Sequence, residues 1–162
     1  MKKVVVITGG CGLLGRSLVK KFFEDGAQVV LIDINLKSIE KIFSKKIINS
    51  ENVIFFKCNI KSAKDIKKIL IKIIKTFSRV DILINNARPK LKLNSFPNSL
   101  SEWDLSIDIL LKSPAVLSSL FLSELIKSKG TIINISSTNS RYISHQPLPY
   151  HVAKAGLEHL TR

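Results

Sequence analysis

The feature that most constrains the fold of this chain is a regular alternation between short apolar runs and helix-length segments. Runs such as VVLI and TIINI are apolar on both faces, which is typical of parallel strands covered by helices on both sides. Parallel strands need helical crossovers, which are right-handed. The sequence therefore predicts a doubly wound α/β fold with three layers, α/β/α. Five runs have the length and composition of strands: 3–8, 28–33, 53–57, 80–84 and 131–135.

The segments between these runs have helical length and periodicity. In one of them lysines lie opposite isoleucines at helical spacing, the pattern of a half-buried helix. The helical pattern also returns from residue 150 onward. The predicted helices between strands cover 13–24, 36–47, 62–77 and 100–128.

Two irregular stretches, 86–98 and 137–149, each follow a predicted strand at its carboxyl end. An open α/β sheet places its ligand crevice at that edge, so these stretches are expected to border a site. No internal repeat, low-complexity tract or linker divides the sequence. We therefore expect a single domain over 1–162.

The net charge of +14, from 26 Lys plus Arg against 12 Asp plus Glu, raises the question of nucleic-acid binding. Only five of the 26 basic residues are Arg, and no aromatic residues are interleaved among the lysines. The planar forks and stacking platforms of a specific nucleic-acid site are therefore missing. Weak, salt-sensitive binding to polyanions remains an open alternative.

The two cysteines, Cys11 and Cys58, match no zinc-site spacing and no disulfide framework. We therefore expect no metal and a reducing, cytoplasmic location. The first apolar run, Val4 to Ile7, is far shorter than a signal-peptide core or the ~20 residues of a membrane span. The sequence thus predicts neither export nor membrane insertion.

A glycine-rich segment, TGGCGLLG, lies between the first predicted strand and the first predicted helix. This is the position of a dinucleotide-binding fingerprint. Glycines are needed where the turn is tight and where the backbone approaches a pyrophosphate, whose charge then meets the helix N-terminus. A purely structural turn is the alternative. The candidate cofactor residues here are Thr8, Gly9, Gly12, Leu14 and Gly15.

An acidic residue, Asp33, closes the second predicted strand 18 residues beyond Gly15. A carboxylate there can accept hydrogen bonds from the adenosine ribose and would repel a 2′-phosphate. No Arg follows it, so NAD is favoured over NADP; a surface helix cap is the alternative. Asn59 and Ile60, after the third strand, would line the adenine side, with Asn59 accepting from the adenine amino group.

Tyr150 and Lys154 are four residues apart and so share one helix face. A free tyrosine has a pKa of about 10, and a nearby cation stabilises its phenolate for acid–base work near neutrality. By itself this spacing is common. The pair becomes more informative together with Ser137, which lies 13 residues upstream of Tyr150, just past the fifth predicted strand.

Taken in order, TGxxGxxG, the strand-end acid, the NNA triplet of residues 85–87, the serine and YxxxK resemble the short-chain dehydrogenase/reductase family over the whole chain. The resemblance implies a Rossmann-type fold and an oxidoreductase that uses NAD. It implies that Tyr150 exchanges a proton with the substrate oxygen and that Ser137 hydrogen-bonds that oxygen. Lys154 would hold the nicotinamide ribose and tune Tyr150, while Asn86 and Ala87 would line the cofactor.

The sequence departs from the family pattern at several positions. The glycine spacing, with Gly12, is similar to the extended, nucleotide-sugar-modifying branch, whereas NNA and the serine-to-tyrosine spacing are similar to the short branch, which we follow. Arg88 replaces the usual glycine and places a bulky cation near the cofactor. Leu110 stands where the family has a catalytic Asn that acts largely through its carbonyl. Pro114 has no N–H to pair with that carbonyl, so we expect it to be free; a simple helix kink is the alternative.

Besides a nucleic-acid-binding function, which rests only on the net charge, two functions remain open. The first is an NAD-dependent oxidoreductase acting on a small secondary alcohol or ketone, with a sugar or glycan precursor as a candidate. The second is a non-catalytic dinucleotide-binding module or an inactive fragment, because the pattern stops inside the helix of Lys154, before the family's last strands and substrate lid. The resemblance also implies a homo-oligomer built through 100–128 and 150–162.

Overall fold

The computed structural model describes residues 2–37, 39–91 and 98–162 and contains a five-stranded parallel sheet. The strand order is β3-β2-β1-β4-β5, so the order reverses between β1 and β4. This confirms the predicted doubly wound fold, and two of the predicted strands agree with the structure to the residue. The strands are β1 (Val4–Thr8), β2 (Gln28–Asp33), β3 (Val53–Lys57), β4 (Ile82–Asn85) and β5 (Thr131–Asn134).

Helices connect the strands, and two of the predicted helices are divided. The predicted helix 36–47 is two short helices, because Ser44 adopts an extended backbone and starts the second of them. The predicted helix 100–128 is interrupted by a π turn at Asp108–Lys112. The helices are α1 (Leu13–Glu24), α2 (Ile39–Ile42), α3 (Lys45–Ile48), α4 (Ala63–Phe77), α5 (Leu100–Ile107), α6 (Ser113–Ser128) and α7 (Leu148–Thr161).

Local sequence explains where α4 begins and ends. The hydroxyl of Ser62 accepts a hydrogen bond from the backbone N–H of Asp65, which caps the helix. Ser78 ends it in the left-handed conformation, with φ 63°. Ile66, Ile69 and Ile73 are buried, so the predicted half-buried helix is confirmed.

The core consists of two layers, one on each face of the sheet. Alternate residues of β1 enter them: Val4 and Val6 pack in the cluster that holds α4 and α6, while Val5 and Ile7 pack in the cluster that holds α1 and α3. This arrangement confirms the three-layer prediction and explains why the strands are apolar on both faces.

By length and composition alone, Leu100–Ser128 could cross a membrane. In the fold, its residues Leu117, Phe121 and Leu125 are buried against the sheet. A core helix meets the same two criteria, so these criteria do not make the segment a membrane span.

The strand β5 lies at one edge of the sheet, and within the described part of the chain it pairs with β4 only. Ile133, in the middle of β5, is 38% exposed. An apolar edge of this kind is available for pairing with a further strand.

Candidate active site

The candidate site lies at the carboxyl ends of β1, β4 and β5, next to the point where the strand order reverses. The first irregular stretch, 86–98, begins there after β4, although its residues 92–97 lie outside the described part of the chain. The second, 137–149, runs from β5 to α7. Both predicted stretches therefore start at the ligand edge of the sheet.

Two glycines of the loop between β1 and α1 are required by the protein's own packing. Gly9 has φ +65°, and a Cβ there would lie 2.6 Å from the Cα of Ala87. At Gly15, a Cβ would lie 2.1 Å from the carbonyl oxygen of Gly9. The loop is thus pressed against the end of β4, and only glycine fits at these positions.

Gly12 is constrained less tightly than Gly9 and Gly15. Its φ of −69° suits any residue, and the nearest atom to a Cβ built there would be the Gly9 carbonyl oxygen at 3.3 Å. It precedes α1, whose first turn has no acidic residue and no side-chain cap, and Leu14 in that turn is 48% exposed. The N-terminus of α1 is therefore open to an anion, which fits the pyrophosphate of a dinucleotide.

Thr8 and Asn86 join the ends of β1 and β4. The Thr8 hydroxyl accepts from the backbone N–H groups of Asn86 (3.0 Å) and Ala87 (3.2 Å). The Asn86 side-chain amide donates to the carbonyls of Thr8 (2.9 Å) and Gly9 (3.1 Å). These contacts give Thr8 and Asn86 a bracing function, while their predicted contact with a cofactor stays a prediction.

Asp33 lies beside the glycine loop. One carboxylate oxygen accepts from the N–H of Cys11 (3.0 Å) and the other from the N–H of Asn35 (3.0 Å). Asp33 caps no helix in the described chain, so the alternative of a helix cap is wrong. A carboxylate has about four acceptor sites, which leaves capacity for ribose hydroxyls.

The two cysteines are not poised to react. Burial, followed by the charge of Asp33, raises the pKa of the Cys11 thiol to about 11. Burial, followed by Asp65, also raises the pKa of Cys58. Both thiols are therefore protonated at neutral pH and are poor nucleophiles.

Asn59 and Ile60 follow β3, and Asn59 lines a groove together with Ile34 and Cys58. The Asn59 side chain is exposed, and its oxygen accepts from the N–H of Lys61 (3.1 Å). The Ile60 side chain is buried in the core with α4. Contact of these two residues with adenine stays a prediction.

Tyr150 and Lys154 are both buried on α7, with 7% and 5% of their surface exposed. The Lys154 ammonium donates to the carbonyl oxygen of Ile135, at the end of β5, and lies 5.9 Å from the centre of the Tyr150 ring. Burial, followed by the charge of Arg88, lowers the pKa of Lys154 to about 8. The predicted sharing of one helix face is confirmed.

The cation of Arg88 lies against the ring of Tyr150. Its guanidinium carbon is 5.5 Å from the centre of the Tyr150 ring, and its Nη2 donates to Gln146 at 3.4 Å. The departure from the family glycine therefore brings a second positive charge to the Tyr150 side chain.

Ser137 begins the loop between β5 and α7, and its hydroxyl accepts from the N–H of Asn139 (3.2 Å). A single turn of 3-10 helix, Thr138–Ser140, follows and packs against α7. The loop thus brings Ser137 to the helix of Tyr150 and Lys154.

The loop of residues 135–147, between β5 and α7, is called the serine loop below. Two residues of α7 that the sequence did not indicate anchor it. Glu158 accepts from the hydroxyls of Ser136 (3.2 Å) and Ser140 and from Arg141 Nε (3.2 Å). The Ser140 bond, followed by Arg141, lowers the pKa of Glu158. The available signal was spacing, since Glu158 is one helical turn beyond Lys154.

His151 is the second anchor. Its Nδ1 lies 2.9 Å from the carbonyl oxygen of Asn139, and its Nε2 lies 3.1 Å from that of Gln146. The histidine therefore joins the two ends of the serine loop.

Leu110, at the position of the family's Asn, is 1% exposed and packs against Tyr150 and Ala153. The expectation of a free Leu110 carbonyl assumed an α-helical register, which a π turn interrupts at Asp108–Lys112; the free carbonyl itself stays a prediction. In the π turn, the Ser113 N–H bonds the carbonyl of Asp108, five residues earlier.

Comparisons with known proteins agree with this geometry. Residues 3–162 match the family model described as short chain dehydrogenase. An NAD-dependent glycerol dehydrogenase from Listeria innocua is 28% identical, over 99% of this chain and 62% of the relative. An apo SCOR enzyme structure from Clostridium thermocellum is 32% identical with a TM-score of 0.87, over 99% of this chain and 65% of that one.

A metagenomic short-chain oxidoreductase in complex with NADP is 26% identical with a TM-score of 0.85, over 98% of this chain and 72% of that one. The chain spans less than two thirds of the length of the first curated relatives it matches. The family model nevertheless covers almost every residue of this sequence. The chain therefore belongs to the short-chain dehydrogenase family of oxidoreductases, whose order of motifs it carries from Thr8 to Lys154.

Proposed function

We propose that this chain forms the cofactor-binding and catalytic part of an NAD-dependent oxidoreductase that interconverts a small secondary alcohol and its ketone. The observation that carries the proposal is the burial of Tyr150 and Lys154 together on α7, with Lys154 held on the end of β5. The glycine loop that fits a pyrophosphate lies at the same edge of the sheet. A sugar or glycan precursor remains a candidate substrate.

Tyr150, Ser137 and Lys154 have different roles in this chemistry. Nicotinamide, when bound, supplies or accepts the hydride. Tyr150 gives a proton to the substrate oxygen during reduction and takes it back during oxidation, and Ser137 donates a hydrogen bond to that oxygen. The Lys154 cation favours the phenolate form of Tyr150 and would hold the nicotinamide ribose.

The choice of NAD over NADP rests on Asp33. Its carboxylate is fixed beside the glycine loop by Cys11 and Asn35, where it favours ribose hydroxyls over a phosphate. The Listeria relative is named as NAD-dependent, whereas the metagenomic neighbour holds NADP. Fluorescence titration with NADH and NADPH decides between them: we expect tighter NADH binding, and Asp33→Ala should narrow the preference.

A non-catalytic dinucleotide-binding module is the second candidate, because Leu110 replaces the family's Asn. The protein from its full natural reading frame should be assayed for NADH oxidation with a panel of ketones. We expect turnover that Tyr150→Phe lowers about 10²-fold to 10⁴-fold while NADH affinity changes little. NADH binding without turnover in the unsubstituted protein would favour the module.

We also propose a homo-oligomer built through the 100–128 and 150–162 helices, in the cytoplasm, with no specific nucleic-acid partner and no membrane. Apolar side chains of α6 and α7 are exposed, including Ile126 (68%), Leu122 (49%) and Leu160 (43%). Light scattering after size-exclusion chromatography tests this, and Ile126→Glu should shift the protein toward the monomer. A monodisperse monomer before substitution would refute the assembly.

A further inference from the structure

Arg88 is the charged group at the mouth of the candidate active site. It follows Asn86 and Ala87 at the carboxyl end of β4, and its side chain is exposed while its guanidinium lies 5.5 Å from the centre of the Tyr150 ring. Tyr150 is where the reacting oxygen must bind. Any substrate in contact with Tyr150 is therefore within reach of Arg88.

The hydrogen-bonding capacity of Arg88 is largely unused. A guanidinium carries five N–H donors, yet the contact seen is one long bond to the side-chain oxygen of Gln146, at 3.4 Å. Within residues 2–37, 39–91 and 98–162, no carboxylate oxygen lies within 4.0 Å of it. By contrast, Arg79 pairs with Asp81, and Arg141 pairs with Glu158.

The charge of Arg88 also acts on its neighbours. The Arg88 guanidinium carbon and the Lys154 ammonium lie 5.5 Å and 5.9 Å from the centre of the Tyr150 ring, and neither cation pairs with a carboxylate in the described part of the chain. Together with burial, the charge of Arg88 lowers the pKa of Lys154. A neutral ketone would leave both charges uncompensated. A substrate with its own negative charge would compensate them and would be attracted to the site.

We propose that Arg88 binds an anionic group of the substrate, a carboxylate or a phosphate, and that the enzyme acts on alcohols or ketones that carry such a group. This inference rests on the proposed function. The planar fork of Arg suits two-point binding of either anion. Because the guanidinium is so close to the Tyr150 ring, the anionic group should be within a few bonds of the reacting carbon.

The test compares charged and neutral substrates of matched shape. The full-length protein with saturating NADH is assayed with levulinate against methyl levulinate, and with dihydroxyacetone phosphate against dihydroxyacetone. The levulinate pair tests for recognition of a carboxylate, and the dihydroxyacetone pair tests for recognition of a phosphate. We expect kcat/KM to favour the charged member of at least one pair by about 10-fold to 100-fold.

Arg88→Gln should remove that preference by lowering kcat/KM for the charged member and changing the neutral member less than about threefold. Lys90→Gln is the matched control, since it removes an equal charge from an exposed side chain two residues away and should keep the preference. If no probe is reduced, the same pairs are titrated against the NADH complex by fluorescence. The binding constants then replace kcat/KM under the same criterion.

Three results would overturn the inference. The unsubstituted protein could show no preference for the charged substrate of either pair. Arg88→Gln could lower kcat/KM equally for the charged and the neutral substrate, or Lys90→Gln could reduce the preference as much as Arg88→Gln does. Weaker NADH binding by Arg88→Gln with an unchanged charge preference would instead assign Arg88 to the cofactor. The proposed function fails separately, through absent NADH binding or full activity in Tyr150→Phe. The two failures are therefore distinguishable.

Discussion

The proposed cofactor half of this site, residues 8–15 with Asp33 and Asn86, and its proposed catalytic half, around Tyr150, are built in different ways. In the cofactor half, the contacts centre on main-chain atoms: Gly9 and Gly15 are pressed against neighbouring backbone, and the side chains of Asp33, Thr8 and Asn86 bond backbone groups. In the catalytic half, the geometry comes from side chains that meet across the fold. Glu158 holds the serine loop, and Arg88 faces Tyr150.

The difference predicts how each half responds to substitution. In the glycine loop, replacing a packed glycine by alanine should destabilise the fold. Replacing a glycine that only a ligand would approach should affect binding more than stability. A side-chain-built site should lose rate rather than stability when one contact is removed, since the helices that carry it pack through other residues. The predictions below test this contrast, starting with the largest expected effect.

Gly9→Ala and Gly12→Ala should separate folding from binding. Alanine at Gly9 meets both the positive φ and the Ala87 backbone, so the free energy of unfolding should fall by about 3 kcal/mol. Alanine at Gly12, whose Cβ would lie 3.3 Å from the Gly9 carbonyl oxygen, should lower stability much less than alanine at Gly9 and weaken NADH binding about tenfold. Urea unfolding measures stability, and NADH fluorescence measures binding. An equal loss of stability in both variants would contradict the distinction between glycines required by packing and glycines that face the ligand.

Lys154 should make stability depend on pH. Its pKa is about 8 in the folded protein and about 10.5 when unfolded, so the unfolded chain binds more protons between these values. The free energy of unfolding should therefore rise from pH 8 to 10.5, by up to ~1.4 kcal/mol per pH unit, relative to Lys154→Met. Urea unfolding at several pH values measures it.

Arg88→Gly provides the control for this pH dependence. Removing the second cation should bring the folded pKa of Lys154 closer to its usual value, so the rise in stability should become smaller. Identical curves for Arg88→Gly and the unsubstituted protein would show that burial alone sets the pKa.

Glu158→Ala should lower kcat about tenfold without changing NADH affinity. The variant frees the hydroxyls of Ser136 and Ser140 and the Arg141 side chain, so Ser137 should be held less firmly. Because Glu158 acts through the loop, Glu158→Gln should recover part of the rate. His159→Gln, an exposed neighbour on α7, is the control, and a matching loss in that variant would contradict the role.

Leu110→Asn should have the smallest effect on rate. Leu110 contributes a buried apolar contact to Tyr150, and the amide would not restore the α-helical register that the π turn replaces. We expect the rate per folded molecule to change less than tenfold, or under ~1.4 kcal/mol of barrier. An increase in kcat of more than tenfold, measured under saturating NADH, would show that the absence of Asn at position 110 limits the rate.

The sequence predicted the elements whose signal is local. The strands β2 and β3 and the helix α1 agree with their predicted bounds, because apolar periodicity and flanking glycines act over a few residues. Predicted helices failed where a tertiary contact competes with local preference. Phe43 is buried against Phe55 at the break between α2 and α3, where the sequence predicted one continuous helix.

By itself, the sequence determined the family, the order of the strands along the chain and the position of the glycine loop between β1 and α1, since backbone sterics and short spacings encode them. Only the tertiary structure decided that Arg88 lies on Tyr150, that Glu158 and His151 hold the serine loop, and that a π turn precedes Pro114. These contacts join residues up to 62 positions apart, as with Arg88 and Tyr150. They form because packing around the sheet brings distant side chains together, and no local pattern in the sequence records that proximity.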